Sequence, residues 1–378
     1  MKHFRGMSRE ALQECFYVCP SEFSRDAGKR TLGIAMGASL YMPGTMKEIA
    51  VKLTGTRLSS LTSVILCLED AVSDGELAEA EENVIRELKV IESLYITGKF
   101  SDGNLPLLFI RVRNTNQLQD IAERLGSALE LVTGIVFPKC TSSNAQGFFR
   151  CLQELNMQRA INLYGLPILE TKEILYSESR EQELARLYVI FKQFEELILT
   201  IRVGATDFAS LLSLRRSRLR PIYDLRLVAD CLLAIVNKFG RRDDSFLISG
   251  PVYEHFEDAA STGTFDNPSS ADAVLWEEVQ LDSLNGFMGK TCIHPSHIAI
   301  INAAYAIPKE AYDDARAITE QSIEMNGVLK SPAKNKMNEV KPHYNWALNV
   351  LAQAEIYGVL KENVTSFDFL RRLRTALV

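Results

Sequence analysis

The sequence predicts an α/β chain folded as a (β/α)8 TIM barrel with a C-terminal helical lid. Three observations predict it. Eight short apolar runs rich in β-branched residues recur between residues 38 and 295. The runs are continuously apolar rather than alternating, as expected for strands buried on both faces of a parallel sheet. A turn and a helical pattern follow each run, which is the repeating unit of a barrel of about 250 residues. A doubly wound open sheet is the structural alternative.

The runs, in order, are "ASLYMPG" (38–44), "VILCLED" (64–70), "PLLFIRVR" (106–113), "GIVFPKC" (134–140), "NLYGLPILE" (162–170), "LILTIRVGATD" (197–207), "SFLISGPVY" (245–253) and "GFMGKTCIHP" (286–295). Helical spacing separates them. Ser73 and Glu76 have capping-box spacing ahead of "LAEAEENVIRELKVIESLY". "LYVIFKQFEEL" and "IYDLRLVADCLLAIVNKFG" also carry apolar faces, and the second is expected to end at Gly240. Pro295 suits the first turn of a helix and keeps His294 out of it. The expected division is an N-terminal extension over 1–27, the barrel over 28–307 and the lid over 308–378. In the lid, helical "KEAYDDARAITEQSIEM" is followed by "NGVLKSPAKNKMNEVKP", whose glycine, two prolines and four lysines predict a mobile polar loop, and then by further helices.

Composition narrows the function. With 47% hydrophobic and 24% charged residues and a net charge of −6, the chain is ordinary globular protein without a dense cationic face, so nucleic acid is not an expected partner. Seven scattered cysteines show no disulfide framework, which predicts a reducing, cytoplasmic setting. "MKHFRGMSRE" leads into no signal-like apolar run, and no stretch approaches the roughly 18 apolar residues of a membrane span.

In a barrel, the C-terminal strand ends converge on one face, and that face carries the chemistry. Several runs here finish in charge: Glu69 and Asp70, Arg111 with Arg113, Lys139, Glu170, Asp207 and His294. Glu170 and Asp207 come from successive strands. Two neighbouring carboxylates repel unless a cation lies between them, and hard oxygen donors suit Mg²⁺, with Mn²⁺ as the alternative. The plainer reading makes Glu170 a helix cap and Asp207 a turn residue. Arg111 either clamps a substrate carboxylate or pairs with Glu69 or Asp70. Glu69, Lys139 and His294 are further candidates for contact with substrate. So is Arg215 in "LRRSRLRP" (214–221), a run read either as a solvated face or as a site for an anionic substrate or carrier. "GFMGKT" is not a P-loop, because Leu284 stands where the first glycine is needed. "HPSH" lacks the accompanying ligands of a zinc site.

Taken in order, "SLYMPG", "LCLEDAV", "FIRVR", "VFPK", "LPILET", "VGATDF" and "GFMGKTCIHPSHI" resemble the motifs of the citrate lyase β-subunit-like carbon–carbon bond lyases, within the HpcH/HpaI aldolase superfamily. The tail "KNKMNEVKPHYNWALNVLAQA" resembles that family's C-terminal lid. The resemblance implies a Mg²⁺-dependent enzyme that makes or breaks a carbon–carbon bond beside a carbonyl. It implies Glu170 and Asp207 as metal ligands, Arg111 as the arginine that grips substrate, Asp70 as the acid near the reacting end, and Lys139 as support. It also implies a small carboxylate substrate, with a CoA thioester or a free 2-keto acid as alternatives, and a homo-oligomer, a trimer or a multiple of one. The chain departs from the pattern at Cys67, at Ala38, and at Met337-Asn338-Glu339, where relatives carry a lid Asp that acts across subunits. Glu339 is the expected substitute acid–base residue. A non-catalytic binding protein that kept the barrel is the rival reading.

Overall fold

The eight apolar runs fold as eight parallel strands. They are β1 (Ala38–Pro43), β2 (Ser63–Cys67), β3 (Leu107–Arg111), β4 (Val132–Phe137), β5 (Tyr164–Leu169), β6 (Ile201–Val203), β7 (Ile248–Ser249) and β8 (Lys290–Cys292). The computed structural model describes residues 1–55, 58, 60–100, 102–244, 246–257, 270–320 and 327–376. Each strand from β1 to β6 pairs with the next, and β1 also pairs with β8. The remaining seam closes through a parallel bridge between Gly250 and Lys290, with Gly250 donating to the Gly289 carbonyl at 2.9 Å. The sheet is therefore a barrel, not an open doubly wound layer.

Burial explains the continuous apolar runs. Every residue of β2, β3, β4 and β5 is buried, one face toward the barrel interior and the other toward helices. The outer helices are α1 (Leu77–Ile96), α2 (Thr115–Leu125), α3 (Ala145–Arg159), α4 (Ser177–Gln193), α5 (Arg226–Phe239), α6 (Ala271–Leu284) and α7 (Ser296–Ala304). Along α1, Ala80, Val84, Leu88 and Ile91 face inward at helical spacing. Asn114 caps α2 by accepting from the Gln117 N–H at 2.9 Å. The α5 helix ends at Gly240, and Pro295 starts α7. Ser73 and Glu76 do meet, but hydroxyl to carboxylate at 2.5 Å, so they do not form a capping box with the backbone.

The C-terminal part is helical, as expected: α8 (Lys309–Thr319), α9 (Val340–Tyr357) and α10 (Ser366–Ala376). The expected continuation of α8 to residue 325 lies partly outside the described residues. The polar loop is a β-hairpin of β9 (Val328–Lys330) and β10 (Met337–Glu339). Its structure comes from buried Asp314 on α8, which accepts from Ser331 at 2.7 Å and Asn338 at 2.8 Å and pairs with Lys336 at 2.8 Å. Proline and lysine made this stretch look like an unstructured loop; one buried acid organises it.

The two ends of the chain meet beneath the barrel. Phe16–Val18 pairs antiparallel with Val359–Leu360, and Phe369 lies edge-on to Phe4 and Phe16 at 4.8 Å each. Tyr357 donates to the Ile34 carbonyl at 2.8 Å, just before β1. Buried His3 stacks on Tyr357 at 4.3 Å and contacts the Ala35 carbonyl at 3.1 Å. No described residue of 308–378 lines the cavity at the opposite, C-terminal mouth of this chain's own barrel. No disulfide joins the seven cysteines. Among the described residues, no helix is long and apolar enough to cross a membrane.

Candidate active site

Strand register gathers the charged ends. Cys67 of β2 pairs with Arg111 of β3, and Arg111 pairs with Val136 of β4. Beyond β2 the chain turns over the mouth, so that one Arg111 nitrogen, Nη2, meets Glu69 at 2.6 Å, Asp70 at 2.9 Å and Glu170 at 3.3 Å. The ion-pair reading of Arg111 is thus the one the structure shows.

Lys139 follows β4 with φ of 48°, a left-handed conformation that costs a non-glycine residue about 1 kcal/mol or more. That turn aims its backbone N–H at Glu170 Oε1, 2.8 Å away, while its ammonium reaches Glu69 and lies 3.0 Å from Asp70. Glu170 directly follows β5 and is buried. Asp207 sits in the first turn of the helix Ala205–Leu211 after β6 and lines the same cavity as Glu170. Gly204, just before that helix, lets the backbone pass close against Glu170. A Cβ there would lie 2.3 Å from Glu170 Oε2 and 2.4 Å from Glu170 Cβ.

These groups border a cavity of about 300 Å³ at the barrel mouth, lined by Tyr41, Asp70, Arg111, Glu170, Arg202 and Asp207 among others. A second, wider groove of about 780 Å³ adjoins it across Glu69, Asp70 and Lys139.

Electrostatics separates the acids into two kinds. Burial pushes Glu170 up to about 7; Arg111 opposes the rise and Asp207 adds to it. Asp207 is raised as well, first by burial and then by Asp70. Burial also works to raise Asp70, but Arg111, Glu69 and Lys139 hold it below its ordinary value. Glu170 and Asp207 therefore share a poorly solvated place in which their negative charges oppose each other. Their donors are hard oxygens only. Among the described residues no group of three or more His, Cys, Asp or Glu gathers as a metal site, here or elsewhere, so an ion at this mouth would rest on two carboxylates. A divalent ion that takes two carboxylates and fills its other positions with water and substrate fits this donor set.

A family model for carbon–carbon bond lyases of the TIM-barrel fold matches residues 30–359. The chain belongs to the TIM-barrel carbon–carbon bond lyase family.

Solved structures share this family fold. A citrate lyase from Burkholderia xenovorans LB400 aligns with a TM-score of 0.62 at 17% identity, over 89% of this chain and 96% of that one. Malate synthase from Haloferax volcanii, as a lead(II) complex, aligns at 0.53 and 12% identity, over 73% and 74% of the two chains. CitE from Mycobacterium tuberculosis, in complex with magnesium, acetoacetate and coenzyme A, aligns at 0.50 and 20% identity, over 87% and 99%. At these identities the likeness is one of fold. No curated protein matches the sequence.

Within this lyase-family barrel, Glu69, Asp70, Arg111, Lys139, Glu170 and Asp207 stand together, whereas three other expected residues stand apart. His294 stacks on Phe256 at 4.3 Å and bonds Ser296 at 2.8 Å, outside the cavity lining. Arg215 is exposed in the loop after the Ala205–Leu211 helix. Its neighbour Arg216 is buried, pairs with Glu254 and Glu278 and covers Tyr253 at 4.7 Å, so part of the arginine run is internal structure. Glu339 is exposed at the end of β10, its N–H bonded to His343 at 3.1 Å.

Arg202 and Tyr41, both on the cavity wall, were not singled out from sequence. The signal was present, since Arg202 is a charged residue inside an otherwise apolar strand.

Proposed function

We propose that this family member is a Mg²⁺-dependent carbon–carbon bond lyase or aldolase acting on a carboxylate-bearing substrate. The observation that carries the reading is the placement of Glu170, buried, and Asp207, half-buried, from successive strand ends on the wall of one cavity at the barrel mouth, both with raised pKa values. Glu170 and Asp207 would hold the ion, with Mn²⁺ as the alternative. A bound divalent ion supplies positive charge that favours an enolate form of the substrate.

The protein groups have separable roles in this reading. Arg111, held by Glu69 and Asp70, presents a fixed cation toward the reacting carboxylate. Lys139 positions both acids through its ammonium and Glu170 through its backbone N–H. Proton transfer needs a group within hydrogen-bond reach. Glu339 of a neighbouring copy in a homo-oligomer, a trimer or a multiple of one, is the assigned acid–base residue, with Asp70 second. A cytoplasmic location suits the unpaired cysteines. The adjoining groove has room for the body of a larger substrate such as a CoA thioester, as well as for a free 2-oxo acid bound in the mouth alone.

The test is calorimetric titration of Mg²⁺ with and without oxalate, a planar mimic of a pyruvate enolate. Binding of Mg²⁺, with oxalate binding that depends on it and with both lost in Glu170→Ala, is the expected result. Absence of both from the wild type removes the lyase reading and leaves the binding-protein one.

A further inference from the structure

Two arginines face the barrel mouth, and their surroundings differ. Arg111 contacts three carboxylates. Arg202, on β6, is buried with 1% of its surface exposed, and among the described residues no carboxylate pairs with it. Its Nη2 donates to Thr291 at 2.5 Å, its Nη1 reaches Ser39 at 3.5 Å, and its Nε has no partner. A guanidinium offers five N–H donors, and few of these are used. Burial pushes the Arg202 pKa below its ordinary value; Tyr41 opposes the fall, and the like charge of Arg111 adds to it.

A buried cation without a counter-charge is costly, and side chains of this kind are normally paired within the protein or by a ligand. Here the open side of Arg202 is the cavity. The Tyr41 ring lies 5.9 Å from the Arg111 guanidinium and 5.8 Å from that of Arg202, so the two cations flank one aromatic wall. A volume of about 300 Å³ is at the small end for a ligand site and suits a short chain rather than a large acyl group.

We infer that Arg202 binds a second, distal carboxylate of the substrate, so that the barrel mouth selects short dicarboxylates over monocarboxylates. The inference rests on reading the mouth as a 2-oxo acid site, with the reacting end at Glu170 and Asp207. Arg202 then acts as a specificity-determining residue. Its missing internal partner is supplied by the ligand, and Ser39 and Thr291 orient the guanidinium from below.

The experiment compares 2-oxoglutarate with 2-oxovalerate, five-carbon 2-oxo acids that differ by the distal carboxylate, by calorimetry on the whole protein in saturating Mg²⁺. The wild type is expected to bind 2-oxoglutarate at least tenfold more tightly. Arg202→Met is expected to erase that preference, to leave 2-oxovalerate affinity within twofold, and not to lower the melting temperature, because it removes an uncompensated buried charge. Equal binding of the two acids by the wild type overturns the inference and leaves the lyase reading intact. Binding of neither overturns the lyase reading and this inference with it. A large fall in melting temperature with loss of both ligands makes Arg202 structural and also overturns it. Should Arg202→Met not fold, Arg202→Lys decides: a point charge without the fork geometry should weaken the preference, and an unchanged preference counts against the assignment.

Discussion

Gly204 offers a test of the site that leaves every charged group in place. Its backbone is unstrained, with φ of −102°, so alanine there brings a purely local collision. The added methyl would begin 2.3 Å from Glu170 Oε2 and 2.4 Å from Glu170 Cβ. Ordinary contact begins near 3.4 Å, so Glu170 or the backbone must give by about 1 Å. Such a shift takes the Glu170 carboxylate off the Lys139 N–H, now 2.8 Å away, and away from Asp207. Overpacking of this kind costs about 1–3 kcal/mol. Each loss of about 1.4 kcal/mol at a ligand carboxylate is tenfold in affinity. Gly204→Ala is therefore expected to weaken Mg²⁺ binding by at least tenfold, read by calorimetry, and to lower the melting temperature by several degrees. Wild-type Mg²⁺ affinity together with an unchanged melting temperature would refute the reasoning, because it would mean that Glu170 is not held where the Gly204 approach puts it.

Other expectations follow from separate parts of the molecule. Glu339→Gln should leave Mg²⁺ affinity unchanged and lower turnover by about 100-fold or more, the usual weight of a general acid–base group; wild-type turnover removes Glu339 from the mechanism. Burial pushes His3 from 6.5 down to about 3, so below its ordinary value the unfolded chain takes up a proton that the folded chain does not. Stability should thus fall by about 2 kcal/mol as the pH drops from 6.5 to 5. In urea titrations His3→Phe should flatten that slope, and an unchanged slope would place the proton uptake elsewhere. Asp314→Ala removes the shared partner of Ser331, Asn338 and Lys336 and should destabilise the β9–β10 hairpin by about 2 kcal/mol, seen as faster proteolysis between β9 and β10. Wild-type cleavage rates would show that the hairpin does not depend on that buried acid.

The fold was legible wherever one physical cause dominated the local sequence. Strands buried on both faces must be apolar throughout, so all eight were visible, though β6 and β7 are shorter than their apolar runs. The acids and cations at the strand ends were legible because parallel barrel strands all finish on one face. What sequence did not reveal depends on long-range placement. Arg202 passed as one residue of an apolar run, since its lack of a counter-charge is a property of Ser39, Tyr41 and Thr291, which come from β1 and β8. Arg216 looked exposed in a run of arginines, and its burial depends on Glu254 and Glu278. The left-handed turn at Lys139 has no local signature, because glycine or asparagine is the usual residue there.

The joined chain ends beneath the barrel have a consequence for synthesis. Tyr357 and its acceptor Ile34 are 323 residues apart. At translation rates of about 5–20 residues per second, roughly 15–65 s pass between their appearances. During that interval Phe4, Phe16 and His3 have emerged without Phe369 and Tyr357 to cover them, while the strands above can already pair. The underside of the barrel is therefore the last part to close on the ribosome, and a nascent chain stalled before residue 357 should be held by chaperones at its N-terminal aromatic residues rather than at the opposite mouth of the barrel.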